Sequence, residues 1–403
     1  MLPYIAPDDI DRGTMTDEHP APHWRTKLVH PGVTAPQDFR ALVPAVHRGS
    51  TVLFDRVADA RDDWRGDGYT YGLYGTPTTR ELALRVADLE GAKASFVVPG
   101  GQAAIALVYP AHCRAGDHAL VPESAYRPNR ELADKLLAGL GIEVQAYDPL
   151  LGAEIATLIR PNTRLIWCES PGTITMEVQD VPAIVATAHE RGVPVALDNT
   201  YAAGVLFDAF AHGVDVSMQA LTKYVGGHSD LLLGTVSVGT VEAHERVGAT
   251  HRLLGLAVSP DDCALALRGL ETLAVRLDRL QATALNVAHW LKTRPEVELV
   301  LHPALPDCPG HDVWRRDFTG SASVFSVVFR PEWDAERITR FVEGLRLFRL
   351  GFSWGGTHSL VMAYPPLPRM QRGYEGRVVR LNVGLEEPAD LIADLRHSLS
   401  RVS

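Results

Sequence analysis

Lys223 stands in the run Ser217-Met-Gln-Ala-Leu-Thr-Lys-Tyr-Val-Gly-Gly-His-Ser-Asp230, among hydroxyl, glycine and aromatic residues with no carboxylate beside it. That setting suits a surface charge poorly. It suits an amine kept out of water, whose pKa falls and which can attack a carbonyl to form a Schiff base. Upstream, the apolar run Val193-Pro-Val-Ala-Leu ends in Asp198. A carboxylate delivered at the end of a buried strand can pair with a protonated pyridine nitrogen. A Schiff-base lysine and such an aspartate are together the minimal protein equipment for pyridoxal phosphate (PLP) chemistry. Singly, each has a plainer reading: most lysines are surface charges, and an aspartate closing a strand often caps the next helix.

Other residues could join them. Val97-Val-Pro-Gly100-Gly101-Gln102 reads as a strand, a glycine turn and a helix start, where free N–H groups and the positive helix end can meet a phosphate. A Gly-Gly pair alone usually marks only a turn. Arg380 lies inside the apolar run Val378–Val383 and must meet an anion there, either an internal carboxylate or an acidic ligand. His228 and Asp230 look like a catalytic pair but read as structural, because Lys223 already supplies the proton transfers. The sixteen histidines show no HExxH-type spacing, and Cys113, Cys168, Cys263 and Cys308 form no CxxC pair. Neither a metal site nor a disulfide framework is expected, in keeping with a reducing cytoplasm.

Positioning these groups requires strands whose carboxyl ends gather along one edge. Between Ala94 and Gly239, β-rich runs at Ser95–Val98, His118–Val121, Glu143–Tyr147, Leu165–Cys168, Val193–Leu197 and Thr235–Val238 alternate with helical periodicity over Thr79–Leu89, Gln102–Tyr109, Pro128–Leu140 and Val181–Arg191. That alternation predicts an α/β layer with a mostly parallel sheet and a ligand at its carboxyl edge. From about Pro260 the pattern changes. One long helical stretch, Asp261–Thr293, leads into strands at Val297–Leu301, Ser323–Phe329, Leu360–Met362 and Arg377–Asn382 with two further helices, an α+β arrangement.

A length of 403 residues allows two cores, and 46% apolar residues is in the globular range. The net charge of −10, with no basic run, argues against nucleic-acid or anionic-membrane partners. No apolar run reaches bilayer-spanning length. The acidic, Pro-rich stretch Met1–Pro22 reads as a flexible extension rather than a signal peptide.

From about Lys27 to Ala393 the sequence resembles the Cys/Met-metabolism family of PLP enzymes. The resemblance rests on the Lys223 and Asp198 runs, on Glu169-Ser-Pro-Gly-Thr-Ile-Thr-Met-Glu177, on Asp180-Val-Pro-Ala-Ile-Val185 and on Leu301-His-Pro-Ala-Leu-Pro306. From Leu158 to Asp230 it is most like cystathionine β-lyases. It implies the fold type I architecture: an N-terminal extension and inter-subunit arm over 1–75, a PLP-binding domain with a sheet of the seven-stranded type over 76–268, and a smaller α+β C-terminal domain over 269–403. It also implies a cytoplasmic homotetramer, a dimer of active dimers, that cleaves L-cystathionine to homocysteine, pyruvate and ammonia in methionine biosynthesis.

The same resemblance distributes roles. Lys223 carries the cofactor and serves as the base, and Asp198 pairs with the ring nitrogen. Gly101, Gln102 and Thr222 hold the phosphate. Tyr126 stacks on the ring, and Tyr71 reaches the phosphate and reactive centre from an adjacent subunit. Arg380 forks onto the substrate α-carboxylate, with Ser353 aligning the carboxylate or the lysine amine. Phe352-Ser353-Trp354-Gly355-Gly356 resembles the β-lyase form, since γ-acting relatives typically carry a glutamate before the serine. Phe352 and Trp354 are expected to form an apolar wall.

Three positions depart from the family pattern. Ala220 stands where many members have serine. Leu73 replaces an arginine expected near the cofactor phosphate, and Tyr74, a candidate substrate contact, replaces one expected at the far end of cystathionine. Leucine does not replace a bidentate guanidinium, so either Tyr74, Arg80 or Arg127 compensates or the phosphate and distal substrate contacts differ. A β-lyase for another cysteine S-conjugate or cystine therefore stays open, beside a γ-synthase or γ-lyase and a PLP-binding regulatory protein.

Overall fold

The computed structural model describes residues 23–29, 41–60, 64, 65, 68–367 and 372–402, so the Met1–Pro22 extension lies outside the described residues. The larger sheet is built from β1 (Ala94–Val98), β2 (His118–Pro122), β3 (Glu143–Tyr147), β4 (Thr163–Glu169), β5 (Val195–Asp198), β6 (Val216–Gln219) and β7 (Gly234–Val238). Its spatial order is β1-β7-β6-β5-β4-β2-β3. The pairs from β3 through β6 are parallel, and β7 runs against both β6 and β1. Around the sheet lie α1 (Trp24–Val29), α2 (Pro77–Glu90), α3 (Gly101–His112), α4 (Arg127–Leu132), α5 (Val181–His189) and α6 (Val241–Leu254).

Strand alternation sends side chains to two cores. Leu120, Ile166, Cys168, Val195 and Leu197 join one layer. Ala119, Val121, Leu165, Trp167 and Ala196 join the other, with Ile105 and Val108 of α3. At β6 and β7 the apolar pattern holds on one face only. Val216, Met218, Val236 and Val238 pack with α3, whereas the intervening Ser217, Gln219, Thr235 and Ser237 are buried polar residues. That mixture explains why β6 had no apolar signature in the sequence. The expected helix over Pro128–Leu140 is α4 continued by a π-turn at Ala133–Leu137 and a 3₁₀ turn at Ala138–Leu140.

The rest of the chain forms α7 (Pro260–Glu271), whose Cys263, Ala266, Leu267 and Leu270 pack in the core of the large sheet, then α8 (Leu273–Lys292), β8 (Val297–Leu301), α9 (His311–Asp317), β9 (Val324–Phe329), α10 (Ala335–Glu343), β10 (Arg349–Leu350), β11 (Leu360–Tyr364), β12 (Val378–Asn382) and α11 (Pro388–Val402) around a second sheet. The order of that sheet is β10-β11-β12-β9-β8. The single long helix expected over Asp261–Thr293 is in fact two, broken at Thr272. There the Arg276 side chain bonds the Gly269 carbonyl and the Thr272 hydroxyl, and a side chain inserted into the helical ladder breaks it. The first half of α8, Leu273 to Leu280, packs in the core of the large sheet; Ala284 to Leu291 pack in that of the small one. The seam between the cores therefore falls inside a helix.

Glu90, the last residue of α2, is only 4% exposed and accepts a 2.8 Å hydrogen bond from Ser217 Oγ. Burial pushes its carboxyl pKa up, and hydrogen bonds from Ser237, Ser217, Gln219 and Asn199 offset this only in part. The folded chain thus holds a proton that the unfolded chain gives up above the ordinary value of 4.5. This contribution is intact below that value and is lost as pH rises through the folded-state pKa. Glu90→Gln, which is neutral at every pH, is therefore expected to raise Tm relative to the parent more at about pH 8 than at about pH 4. An equal difference at both pH values in thermal melts would contradict this.

Candidate active site

The residues singled out for chemistry follow the carboxyl ends of successive strands. Gly100 and Gly101 follow β1, and Tyr126 follows β2. Glu169 closes β4, Asp198 closes β5, and Lys223 lies in the turn after β6. This gathering at one edge is what a parallel sheet does to strand ends. The small sheet adds Arg380, in the middle of β12, and the Phe352–Gly356 loop between β10 and β11.

Lys223 is held from several sides. Its Nζ donates to Ser353 Oγ at 2.9 Å and lies 5.4 Å from the centroid of the Trp354 ring. Trp354 in turn packs on Tyr224, with centroids 5.3 Å apart. The loop is fixed by Asn382, whose Oδ1 accepts from Gly355 N at 3.0 Å and from Ser323 Oγ at 2.7 Å, while Ser323 also bonds the Tyr224 hydroxyl. Burial, and then the positive charge of Arg380, lower the Lys223 pKa to about 8; Asp198 acts in the opposite direction.

Arg380 is 6% exposed, and it forms no ion pair with a carboxylate among the described residues. Its guanidinium donates to the Phe352 carbonyl at 2.6 Å and the Thr173 carbonyl at 3.3 Å, and lies 5.4 Å from the Tyr364 ring centroid. Burial lowers its pKa. Taking an ion out of water costs several kcal/mol even after relaxation, and a hydrogen bond to a charged group returns roughly 1.5–3 kcal/mol. Two carbonyl bonds, one of them long, leave room for an anion. The internal carboxylate that the sequence left open is not what Arg380 meets.

Asp198 is half-buried as a residue, and desolvation of its carboxyl raises its pKa; hydrogen bonds to Thr200 and the Lys223 charge partly reverse this. Its Oδ1 accepts from Thr200 N at 3.0 Å. Tyr126 is 44% exposed, with its backbone N–H held by Glu169 Oε2 at 2.7 Å, so the position is fixed and a ring face stays accessible. Gly100, at φ +144°, turns the chain into α3. A Cβ on Gly101 would come within 2.7 Å of the Ala220 methyl, so only glycine leaves that cradle open. The side chain of Gln102 is turned to the Pro128 carbonyl at 3.2 Å. Thr222 Oγ1 donates to the Leu233 carbonyl and accepts from Leu233 N, both at 3.1 Å, so a phosphate contact would require its proton to turn.

A buried amine, a buried carboxyl group, an open glycine cradle at a helix N-terminus and an under-paired guanidinium fit a phosphorylated pyridine aldehyde and an amino-acid carboxylate. Not every residue singled out in the sequence is here. Tyr71 is 48% exposed, bridges to Thr51, and its ring lies 6.1 Å from that of Tyr74. The Tyr74 hydroxyl accepts from Arg252 Nε at 2.9 Å. Arg80 stacks on Tyr69 and Arg127 pairs with Glu131. Phe352 contributes its carbonyl rather than a wall, its side chain being 73% exposed. His228 bonds the Gly226 carbonyl, and Asp230 is exposed. Tyr364, Asn382 and Arg252 were not singled out. Asn382 had a legible signal, a polar residue two positions beyond Arg380 on the same strand face.

The sequence profile of the Cys/Met metabolism PLP-dependent enzymes matches residues 25–400. The chain is 42% identical to the cystathionine beta-lyase of Bordetella avium over 90% of this chain and 92% of that one. It is 39% identical to the cystathionine beta-lyase of Escherichia coli K12 over 94% of this chain and 98% of that one. The crystal structure of cystathionine gamma synthase from Xanthomonas oryzae pv. oryzae matches with a TM-score of 0.87 and 28% identity, covering 95% of this chain and 99% of that one.

With a pKa of about 8, Lys223 should react with acylating reagents well below the pH at which ordinary lysines do. Competitive acetylation of the cofactor-free protein is expected to give half-maximal labelling near that value. Arg380→Gln removes a neighbouring positive charge and should move the midpoint upward. A midpoint near the ordinary 10.5 would show that the amine is not desolvated.

Proposed function

Since the chain belongs to the Cys/Met metabolism PLP-dependent enzyme family, we propose that it cleaves the Cβ–S bond of L-cystathionine, giving homocysteine, pyruvate and ammonia. It is a PLP-dependent carbon–sulfur lyase. The observation that carries the site assignment is the Lys223 amine bonded to Ser353 beside an under-paired Arg380. The choice of cystathionine follows the beta-lyases to which the chain is similar.

Lys223 would anchor the cofactor, with Asp198 to pair with its ring nitrogen, Tyr126 to stack on its ring, and Gly101, Gln102 and Thr222 to hold its phosphate. When bound, PLP supplies an electron sink that makes the Cα proton acidic and lets the bond from Cβ to sulfur break. Arg380 forks onto the substrate α-carboxylate and orients Cα, drawing on guanidinium N–H groups beyond the two that hold Phe352 and Thr173. Lys223 Nζ, aligned by Ser353 Oγ, removes the Cα proton. A pKa of about 8 leaves part of the amine neutral near physiological pH, as a base requires. The protonated amine then delivers a proton to the departing sulfur, and water completes the remaining three-carbon fragment to pyruvate and ammonia. Trp354 keeps the amine under an apolar roof, and the Phe352–Gly356 loop contains no carboxylate to serve a second acid–base step at Cγ.

Tyr71 and the exposed Leu42, Val43, Leu53 and Phe54 fit surface that meets a second subunit. On this reading the enzyme is a cytoplasmic tetramer of two active dimers, with Tyr71 serving the neighbouring site. A second substrate, another cysteine S-conjugate or cystine, is favoured by Leu73 and Tyr74, which stand where arginines were expected for cofactor phosphate and cystathionine.

Incubation with L-cystathionine is expected to yield pyruvate and homocysteine, and Lys223→Ala should abolish both. Formation of 2-oxobutyrate and cysteine would overturn β-elimination. Pyruvate from cystine or another S-conjugate, with none from cystathionine, would select the second substrate. In sedimentation the active species should contain four copies.

A further inference from the structure

Arg276 is the other guanidinium buried beside the site. It is 6% exposed, and burial alone lowers its pKa, to about 10. It has no ion pair with a carboxylate among the described residues. Instead Nη1 donates to the Tyr224 carbonyl at 2.5 Å, Nη2 to the Gly269 carbonyl at 2.7 Å and the Val225 carbonyl at 3.4 Å, and Nε to Thr272 Oγ1 at 3.1 Å. With four partners against two for Arg380, its charge is far better compensated, so it is not waiting for a ligand. Gly269 belongs to the last turn of α7, whose carbonyl end favours a cation.

Two of those carbonyls belong to the residues immediately after Lys223. The same turn is closed by Gly227 N on the Lys223 carbonyl and by Gly226 N on the Leu221 carbonyl, both at 2.7 Å. Gly227 adopts φ +72°, and a Cβ there would collide with the Arg276 guanidinium. On the other side Gly355 packs against the Lys223 backbone, next to the Ser353 that accepts the Lys223 amine. The lysine turn is thus gripped between the small-sheet loop and a guanidinium carried by α8, the helix shared by both cores.

We propose that Arg276 is a positioning residue for Lys223: by forking onto the Tyr224 and Val225 carbonyls it sets the distance from the lysine amine to Ser353 and to the reacting carbon. The proposal rests on Lys223 being the catalytic base. It acts through the backbone, so its loss should change the rate of proton transfer more than substrate affinity.

The test uses the PLP-loaded enzyme with Arg276→Lys and Arg276→Met, together with Thr272→Val, which removes the Nε acceptor and its 3.3 Å bond to the Gly269 carbonyl but leaves the fork on Tyr224 and Val225. Arg276→Lys keeps the charge but not the fork. It is expected to lower kcat by ~10²-fold with KM little changed, because a displacement of about 1 Å costs that order of rate. It should also shift the pH midpoint of the visible absorbance of the lysine-bound cofactor. Hydrogen exchange at the Gly226 and Gly227 amides of the cofactor-free protein should accelerate. Thr272→Val should move the same three readouts in the same direction by less, and it carries the test if Arg276→Met does not fold. Parent-like kcat, spectral midpoint and amide exchange in both Arg276→Lys and Thr272→Val would overturn the proposal. Should the parent enzyme itself lack a lysine-bound cofactor band, the Lys223 assignment fails instead, which separates the two ideas.

Discussion

The Lys223 amine sits out of water within the field of a second buried cation, Arg380, and much of the surrounding architecture serves to hold it there. Each influence alone lowers the amine pKa: desolvation disfavours the ammonium, and a nearby like charge disfavours it further. Asp198 opposes both, but its carboxyl is itself desolvated and its own ionised form is disfavoured. The balance of burial, Arg380 and Asp198 leaves the lysine near 8 rather than far lower. A base useful at neutral pH needs that intermediate position. Too little burial would leave the amine protonated, and too much would weaken its grip on any acidic partner.

Keeping two guanidinium groups near this amine without carboxylates has a structural consequence. A carboxylate beside Arg380 would satisfy it permanently and compete with any substrate anion. The fold instead solvates both arginines with backbone carbonyls: Thr173 and Phe352 for Arg380, and Tyr224, Val225 and Gly269 for Arg276. Apart from Gly269, in the last turn of α7, those carbonyls lie on the loops that shape the site. Charge compensation and loop placement are thus the same set of bonds, and the arginine with fewer partners is the one left able to take a ligand.

The seat of this chemistry was legible from local pattern. Lys223 stood out because its hydroxyl, glycine and aromatic neighbours include no carboxylate to pair it, and Asp198 and Arg380 because each is a charge set in an apolar run. The strands around them followed from alternation, and a carboxyl-edge site followed from the parallel order. What was not legible depended on partners far along the chain. β6 carries Ser217 and Gln219 toward the buried Glu90, so its apolar period was hidden. The break at Thr272 arises from the Arg276 side chain, and no glycine or proline stands between Glu271 and Leu273 to announce it. Phe352 reads as an apolar wall by composition, but its side chain points to solvent and its carbonyl does the work at Arg380.

The departures at Leu73 and Tyr74 take a different shape once the side chains are placed. Tyr74 is not an isolated aromatic standing in for an arginine. Its hydroxyl accepts from Arg252 Nε, and the Arg252 guanidinium carbon lies 5.9 Å from its ring centroid. A guanidinium is therefore still present beside Tyr74, carried by α6 instead of by the loop. Of the compensators considered from sequence, Arg80 stacks on Tyr69 and donates to the Gly68 carbonyl at 2.9 Å, and Arg127 is tied to Glu131. Sequence alignment registers a lost charge when a residue type changes in place. Side-chain reach from a neighbouring helix can return the charge to the same neighbourhood with no trace in the local motif, and local motifs therefore bound the chemistry of this site less tightly at its periphery than at Lys223.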